Sequence, residues 1–244
     1  MSPRTTLATA RRVARQLRRD RRTLALVLVV TPALLALLAY VFDRQPETFD
    51  RIGAPLVGVF PLILMFLVTS IAMLRERSTG TLERLMSMPM AKLDLLLGYG
   101  LAFAAVSALQ AGVTAAVAFG LLGVSTAGPL WAVIALAVVN AILGMALGLF
   151  VSAFATSEFQ AVQFMPAFIL PQLLLGGLFV RRELMPDALQ AISDALPFTY
   201  AYDALAKVAA DDVDGRLWLD VGVLAACIVL ALTLGATTLR RRTP

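Results

Sequence analysis

The sequence predicts an all-α, polytopic membrane protein with six transmembrane helices and only short tails and loops outside them. Two observations carry that prediction. Of the 244 residues, 59% are hydrophobic and 15% charged, with a mean hydropathy of +0.83, whereas a soluble domain carries roughly 25% charged residues. The apolar residues also gather in long blocks, each near or above the roughly 20 residues that cross the hydrocarbon of a bilayer.

The blocks are Thr23–Phe42, Gly53–Leu74, Leu95–Leu122, Leu130–Phe154, Ala161–Val180 and Leu217–Leu239. The third is the longest, which predicts a tilted span or one that begins as an interfacial turn. The fifth holds Pro166 and Pro171, which predict a kink. Two loops are long, Arg75–Asp94 and Arg181–Arg216. Residues 23–244 therefore read as one membrane domain behind an N-terminal segment, 1–22. The first block is longer than the h-region of a signal peptide, about 7–15 residues, and no A-x-A cleavage site follows it, so it reads as an uncleaved first span.

The net charge is +5 and the pI about 10.0. The basic residues sit at the N-terminus, in one loop and at the C-terminus, which a membrane explains and nucleic acid does not. Arg4, Arg11, Arg12, Arg15, Arg18, Arg19, Arg21 and Arg22 precede the first span; Arg75, Arg77, Arg84 and Lys92 follow the second; Arg240, Arg241 and Arg242 follow the last. An even number of spans puts these regions on one side, and the positive-inside rule makes that side the cytoplasm. Most of the acids, among them Asp43, Glu47, Asp50, Asp211, Asp212 and Asp214, fall on the other side. The dominance of arginine over lysine, with abundant alanine and leucine, hints at a GC-rich bacterial genome.

Catalytic readings have little to stand on. There is no histidine, and the single cysteine, Cys227, lies in an apolar run. A histidine-based triad and an intrachain disulfide framework are excluded, and a metal site would need carboxylates alone. No G-x-x-x-x-G-K-[ST] loop cradles a phosphate.

Between Arg4 and Arg22 a helical wheel puts Leu7, Ala10, Val13, Ala14 and Leu17 on one side and Arg4, Arg11, Arg15, Arg18 and Arg22 on the other. Such a helix lies in the headgroup plane with its arginines near phosphates; a solvated tail that only sets topology is the plainer alternative.

The loop after the second span reads Arg75-Glu76-Arg77-Ser78-Thr79-Gly80-Thr81-Leu82-Glu83-Arg84-Leu85-Met86-Ser87-Met88-Pro89. Gly80 or Thr81 suits an N-cap, Glu83 the first turn and Pro89 the far limit of a short helix with Leu82, Leu85 and Met86 on one face. By physics alone this is equally a docking helix for a cytoplasmic partner and an ordinary membrane-surface turn. The pattern Arg75-Glu76…Gly80-Thr81-Leu82-Glu83…Leu85…Pro89 resembles the coupling helix of type-2 ATP-binding-cassette exporter permeases, the daunorubicin-resistance type and related lipid, polysaccharide and drug exporters. A second stretch, Pro171…Gly176-Gly177-Leu178-Phe179…Met185-Pro186…Leu196-Pro197-Phe198-Thr199-Tyr200…Asp203-Ala204-Leu205, resembles the same family's fifth-span exit and external re-entrant hairpin. Met88, Gly176 and Lys207 depart from residues common in the family and leave the subfamily open.

The resemblance implies a half-transporter permease of the bacterial cytoplasmic (inner) membrane, with both termini cytoplasmic. Two copies pair, two cytoplasmic ATPase subunits dock on the coupling helices, and ATP with Mg is bound by those subunits, with no cofactor in this chain. Arg75, Glu76, Gly80, Thr81, Leu82, Glu83 and Leu85 are the residues it assigns to coupling. Substrate residues and metal ligands are not assigned. The expected cargo is hydrophobic or amphipathic: a drug, a natural product or a lipid.

Other features stay open at this stage. Leu184, Ala188, Leu189, Ile192 and Leu196 follow helical spacing, with Asp187, Gln190 and Asp194 away from them, and Phe198–Val208 suits a return toward the membrane. The pair is either a cap over the outer end of a pathway or two helices on the outer leaflet. Gly144-x-x-x-Gly148 suits internal packing or dimerisation; Asn140, Gln110 and Gln172 suit a pathway or helix-to-helix hydrogen bonds. An ion-coupled secondary transporter would place ionisable residues mid-span, where these blocks have none. A membrane-embedded enzyme needs positioned acids, bases or metal ligands. A non-transporting anchor or regulator would be told apart by export in its absence.

Overall fold

A computed structural model describes residues 2–86 and 92–238. Helix α1 (Pro3–Arg19) is followed by α2 (Arg21–Val41), α3 (Pro46–Ser78), α4 (Thr81–Met86), α5 (Lys92–Gly120), α6 (Leu130–Val151), α7 (Glu158–Leu175), α8 (Asp187–Asp194), α9 (Pro197–Ala209) and α10 (Gly215–Thr238). Short 3-10 turns precede α7 and α8. No strand is present among the described residues.

Five stretches are long and apolar enough to cross a membrane: Arg21–Val41, Thr48–Ser78, Asp94–Gly120, Leu130–Phe154 and Gly215–Thr238. The fifth predicted block, Ala161–Val180, falls on α7, which is outside that group. It has 18 residues and is about 27 Å long, marginal against a core of about 30 Å. Glu158, Gln160, Gln163 and Gln172 dilute its apolar character. The chain breaks out of it at Gly176 and Gly177, the latter at φ +92°, instead of continuing to Val180.

The bundle is built around α3 and α6. More than half of each span is buried, against about a fifth of α2 and α10. Glycine sets how closely the central pair approaches. A Cβ on Gly144 would lie 2.0 Å from Leu62 O, and one on Gly148 2.3 Å from Phe66 O. The small-residue pattern thus serves internal packing. Polar groups in the spans are used the same way. Asn140 Nδ2 donates to Ala201 O at 3.1 Å, Gln110 Nε2 to Thr31 Oγ1 at 2.9 Å, and Gln172 Nε2 to Phe168 O in its own helix at 2.9 Å. All three side chains tie helices together or bond within one.

Helix α3 has 33 residues, about 50 Å, so its last turns stand beyond the hydrocarbon. Contacts define two ends of the bundle. At one end meet α1, the end of α3, α4, and the starts of α5 and α7; we call it the docking end after the coupling loop that the resemblance assigns there. At the other meet the α5–α6 loop, α8, α9 and the start of α10; we call it the hairpin end.

Candidate functional site

At the docking end, α1 stops at Arg19, three residues before the predicted limit at Arg22. Asp20 makes the break: its carboxylate accepts from Thr23 N at 3.1 Å and Thr23 Oγ1 at 2.6 Å, capping α2. Those bonds hold the Asp20 carboxyl below the usual carboxylate range.

Helix α1 has three faces where the wheel suggested two. Thr9 and Val13 are buried against the bundle, Leu7 and Ala14 are exposed, and Arg4, Arg11, Arg15 and Arg18 form the exposed basic side. Gly98 of α5 makes the seat: a Cβ there would lie 2.5 Å from Thr9 Cβ. Asp94, 3% exposed, receives Ser2 N at 3.1 Å and Thr5 Oγ1 at 3.3 Å, fastening the start of α1.

The residues that the resemblance assigns to coupling divide sharply in position. Arg75 lies on the surface and grips Glu158, at the start of α7, with Nε and Nη2 at 2.7 and 3.1 Å. The bonds from Arg75 hold the Glu158 carboxyl below its ordinary value. Glu76 points inward and is 6% exposed. Gln16 Nε2 donates to its Oε1 at 3.0 Å, and Arg12 Nη2 stands 3.7 Å from the same oxygen. The Arg12 guanidinium also hydrogen-bonds the Tyr99 hydroxyl and lies 5.7 Å from the centre of that ring. Arg77 Nη1 donates to Ser152 O at 2.7 Å, satisfying a carbonyl at the end of α6.

Gly80 turns the chain at φ +70°, a conformation that side-chain-bearing residues resist. Its carbonyl accepts from Arg84 N at 3.1 Å, so α4 begins at Thr81, and Gly80, of the two candidate caps, precedes it. Leu85 is 9% exposed and belongs to the same buried apolar cluster as Val13, Met73, Leu95 and Tyr99. It anchors α4 to the bundle, which leaves it little surface for a partner. The side chains of Leu82, Glu83 and Met86, and Pro89, lie outside what the structure describes.

Sequence reasoning placed Arg12 and Asp94 on this side without their partners, and gave Gln16, Gly98 and Tyr99 no part in it. A weak signal existed: Asp94, Gly98 and Tyr99 interrupt the mouth of an apolar block at near-helical spacing.

At the hairpin end, α8 and α9 form the predicted hairpin with an unpredicted division of burial. Phe198, Thr199, Ala201, Ala204, Leu205 and Val208 of α9 are buried among the spans. Phe198 fills the space over Gly176, and Leu205 the space over Gly58. The apolar residues of α8 behave oppositely. Leu189 and Ile192 are exposed, as is Leu184 in the turn before the helix, while Ser193 is buried, donating to Leu175 O at 2.8 Å. Asp211, Asp212 and Asp214 are exposed, as expected, and Asp214 Oδ1 accepts from Leu217 N at 3.0 Å to start α10. Charge pairs unseen in the sequence line this end. Lys207 Nζ meets Asp220 Oδ2 at 2.6 Å, and Arg182 meets both Asp203, at 2.9 Å, and Asp194. They wall a cavity of about 1120 Å³ between the hairpin and α10.

Residues 4–209 match the family model described as ABC-2 type transporter. The chain belongs to that family. Members are transmembrane subunits of ABC transporters, and the chain is a multi-pass membrane protein. It is similar to two Escherichia coli (strain K12) proteins. One is the probable multidrug ABC transporter permease YbhR, 26% identical over 153 residues, 63% of this chain and 42% of that protein. The other is the probable multidrug ABC transporter permease YbhS, 24% identical over 188 residues, 76% of this chain and 50% of that protein. The chain thus spans half or less of the length of these relatives.

Proposed function

We propose that this ABC-2 chain is the membrane-spanning permease subunit of an ATP-driven exporter in a bacterial cytoplasmic membrane. It moves a hydrophobic or amphipathic substrate outward and works with a separate ATPase subunit that binds ATP and Mg. Two copies of each subunit form the transporter, the docking end faces the cytoplasm, and the hairpin end faces out. The relatives' multidrug names favour a drug-like cargo over a lipid-linked polymer.

The observation that carries the reading is the construction of the docking end. Arg75, Glu76 and Arg77 follow one another, and each fastens to a different element: α7, α1 and the end of α6. A force applied to the loop after the second span therefore reaches three other parts of the bundle through short polar contacts. That is what an ATPase-driven permease requires of its docking loop.

Affinity purification of the chain from its native membrane in mild detergent tests this. The expected outcome is a copurifying ATPase with a phosphate-binding loop, lost on Glu83→Lys and weakened by Glu76→Lys. Absence of any ATPase from an intact membrane fold would sink the proposal and return the secondary-transport and anchoring alternatives.

A further inference from the structure

The cavity at the hairpin end is a built polar site. Asp220 in its wall has a side chain only 6% exposed, and its partner Lys207 20%. Holding such charges out of water costs more than their pairing returns unless further polar groups complete them. At about 1120 Å³ the space is the size of a ligand site, typically about 300–1,000 Å³. It carries both signs of charge. In the wall, Arg182 pairs with both Asp203 and Asp194, and Lys207 with Asp220. Around them Arg181 and Arg216, and Glu183 and Asp212, line the same space without ion pairs among themselves. Phe179 and Leu219, which also line it, are 65% and 57% exposed, and Trp218 beside Leu219 is 72% exposed. An exposed tryptophan of this kind marks the membrane interface.

From these observations we propose that the cavity binds the head of a zwitterionic amphiphile, one that joins a phosphodiester to a primary amine, with its acyl chains beside Phe179 and Leu219. The phosphate is held by Arg181 and Arg216, whose planar guanidinium groups suit it, and the amine by Glu183 and Asp212. A purely anionic ligand would bring its charge against those two carboxylates, and a purely cationic one against the arginines. The chemistry needs both. The permease reading enters only in naming the leaflet, since the hairpin end is taken to face out; the binding itself does not depend on it.

The test is native mass spectrometry of the full chain released from bilayers of phosphatidylethanolamine and phosphatidylglycerol in equal parts. The wild type retains phosphatidylethanolamine in preference. Arg181→Gln/Arg216→Gln reduces retention by about tenfold or more, on the scale of two surface arginines. Glu183→Gln/Asp212→Asn shifts the preference to phosphatidylglycerol. Arg44→Gln, an exposed arginine outside the cavity, changes neither. Equal retention of both lipids by the wild type, or loss caused by the Arg44 variant instead, would overturn the site. Displacement by excess glycerophosphoethanolamine would overturn the acyl contribution and make the ligand a soluble headgroup. No arm uses an ATPase, so failure here leaves the permease reading untouched, and failure to find an ATPase leaves this site untouched.

Discussion

The two ends of the bundle hold buried acids in different ways. At the hairpin end Asp220 is matched by Lys207 at 2.6 Å, a direct pair of opposite charges. At the docking end Glu76 is bonded by the neutral Gln16 at 3.0 Å, and its cation, Arg12, stands off at 3.7 Å and is shared with Tyr99. The first arrangement stiffens a joint between α9 and α10. The second can be rearranged with little loss, because no single contact carries the charge. Under the proposed function, the end that would receive motion from an ATPase has the second arrangement, and the end that frames the cavity the first.

The sharpest way to break the comparison is to remove one partner from each acid. Lys207→Met leaves Asp220 buried and uncompensated, and should lower stability by about 3–5 kcal/mol, read as a large drop in the detergent melting temperature. Lys207→Met/Asp220→Leu should recover much of it, because the cost lies in the orphaned charge. Gln16→Ala at the docking end should cost less, about 1.5–3 kcal/mol, the range for a hydrogen bond to a charged group, since Arg12 remains close to take up Glu76. Equal losses at the two ends would show that both acids are held alike.

The seat of α1 comes next. Gly98→Ala forces a methyl against Thr9 Cβ, 2.5 Å from the ideal position, and overpacking of this kind costs about 1–3 kcal/mol. The expected readout is faster proteolysis within residues 3–19 with the spans intact. Thr9→Gly in the same chain should restore protection. Restoration separates a local seat from a general defect of α5.

How far the sequence foretold these ends follows from what each signal measures. Block length and hydropathy located five spans directly, because crossing hydrocarbon is a one-dimensional demand on the chain. It overextended the span at α7, where glutamines and prolines dilute the same signal and Gly176–Gly177 ends the helix. The docking turn was legible at Gly80, since a positive φ favours glycine. The burial of Leu85 was not legible, because its helical spacing is the same whether the apolar face meets a partner or its own bundle. The reversal on α8, where Leu189 and Ile192 are exposed and Ser193 is buried, has the same cause: in a membrane an apolar face has no obligation to point at protein. The pairing of Lys207 with Asp220, thirteen residues apart across a helix end, needed the third dimension.

The smallest effect belongs to the most visible contact. Arg75 and Glu158 form a two-bond pair, but both side chains are about half exposed, 55% and 53%, and exposed pairs contribute about 0–1 kcal/mol. Its pH dependence nevertheless has a definite sign. Arg75 holds the folded carboxyl of Glu158 below its ordinary value of 4.5, so the unfolded chain binds the proton more readily. The pair's contribution is therefore complete above that ordinary value and is lost as pH falls through the lower folded one. Melting temperatures of wild type and Glu158→Gln should differ by a small, constant amount near neutrality and converge in acid. A gap that widened on acidification would show that Glu158 is destabilising as a carboxylate, and would remove α7 from the elements that Arg75 ties to the docking end.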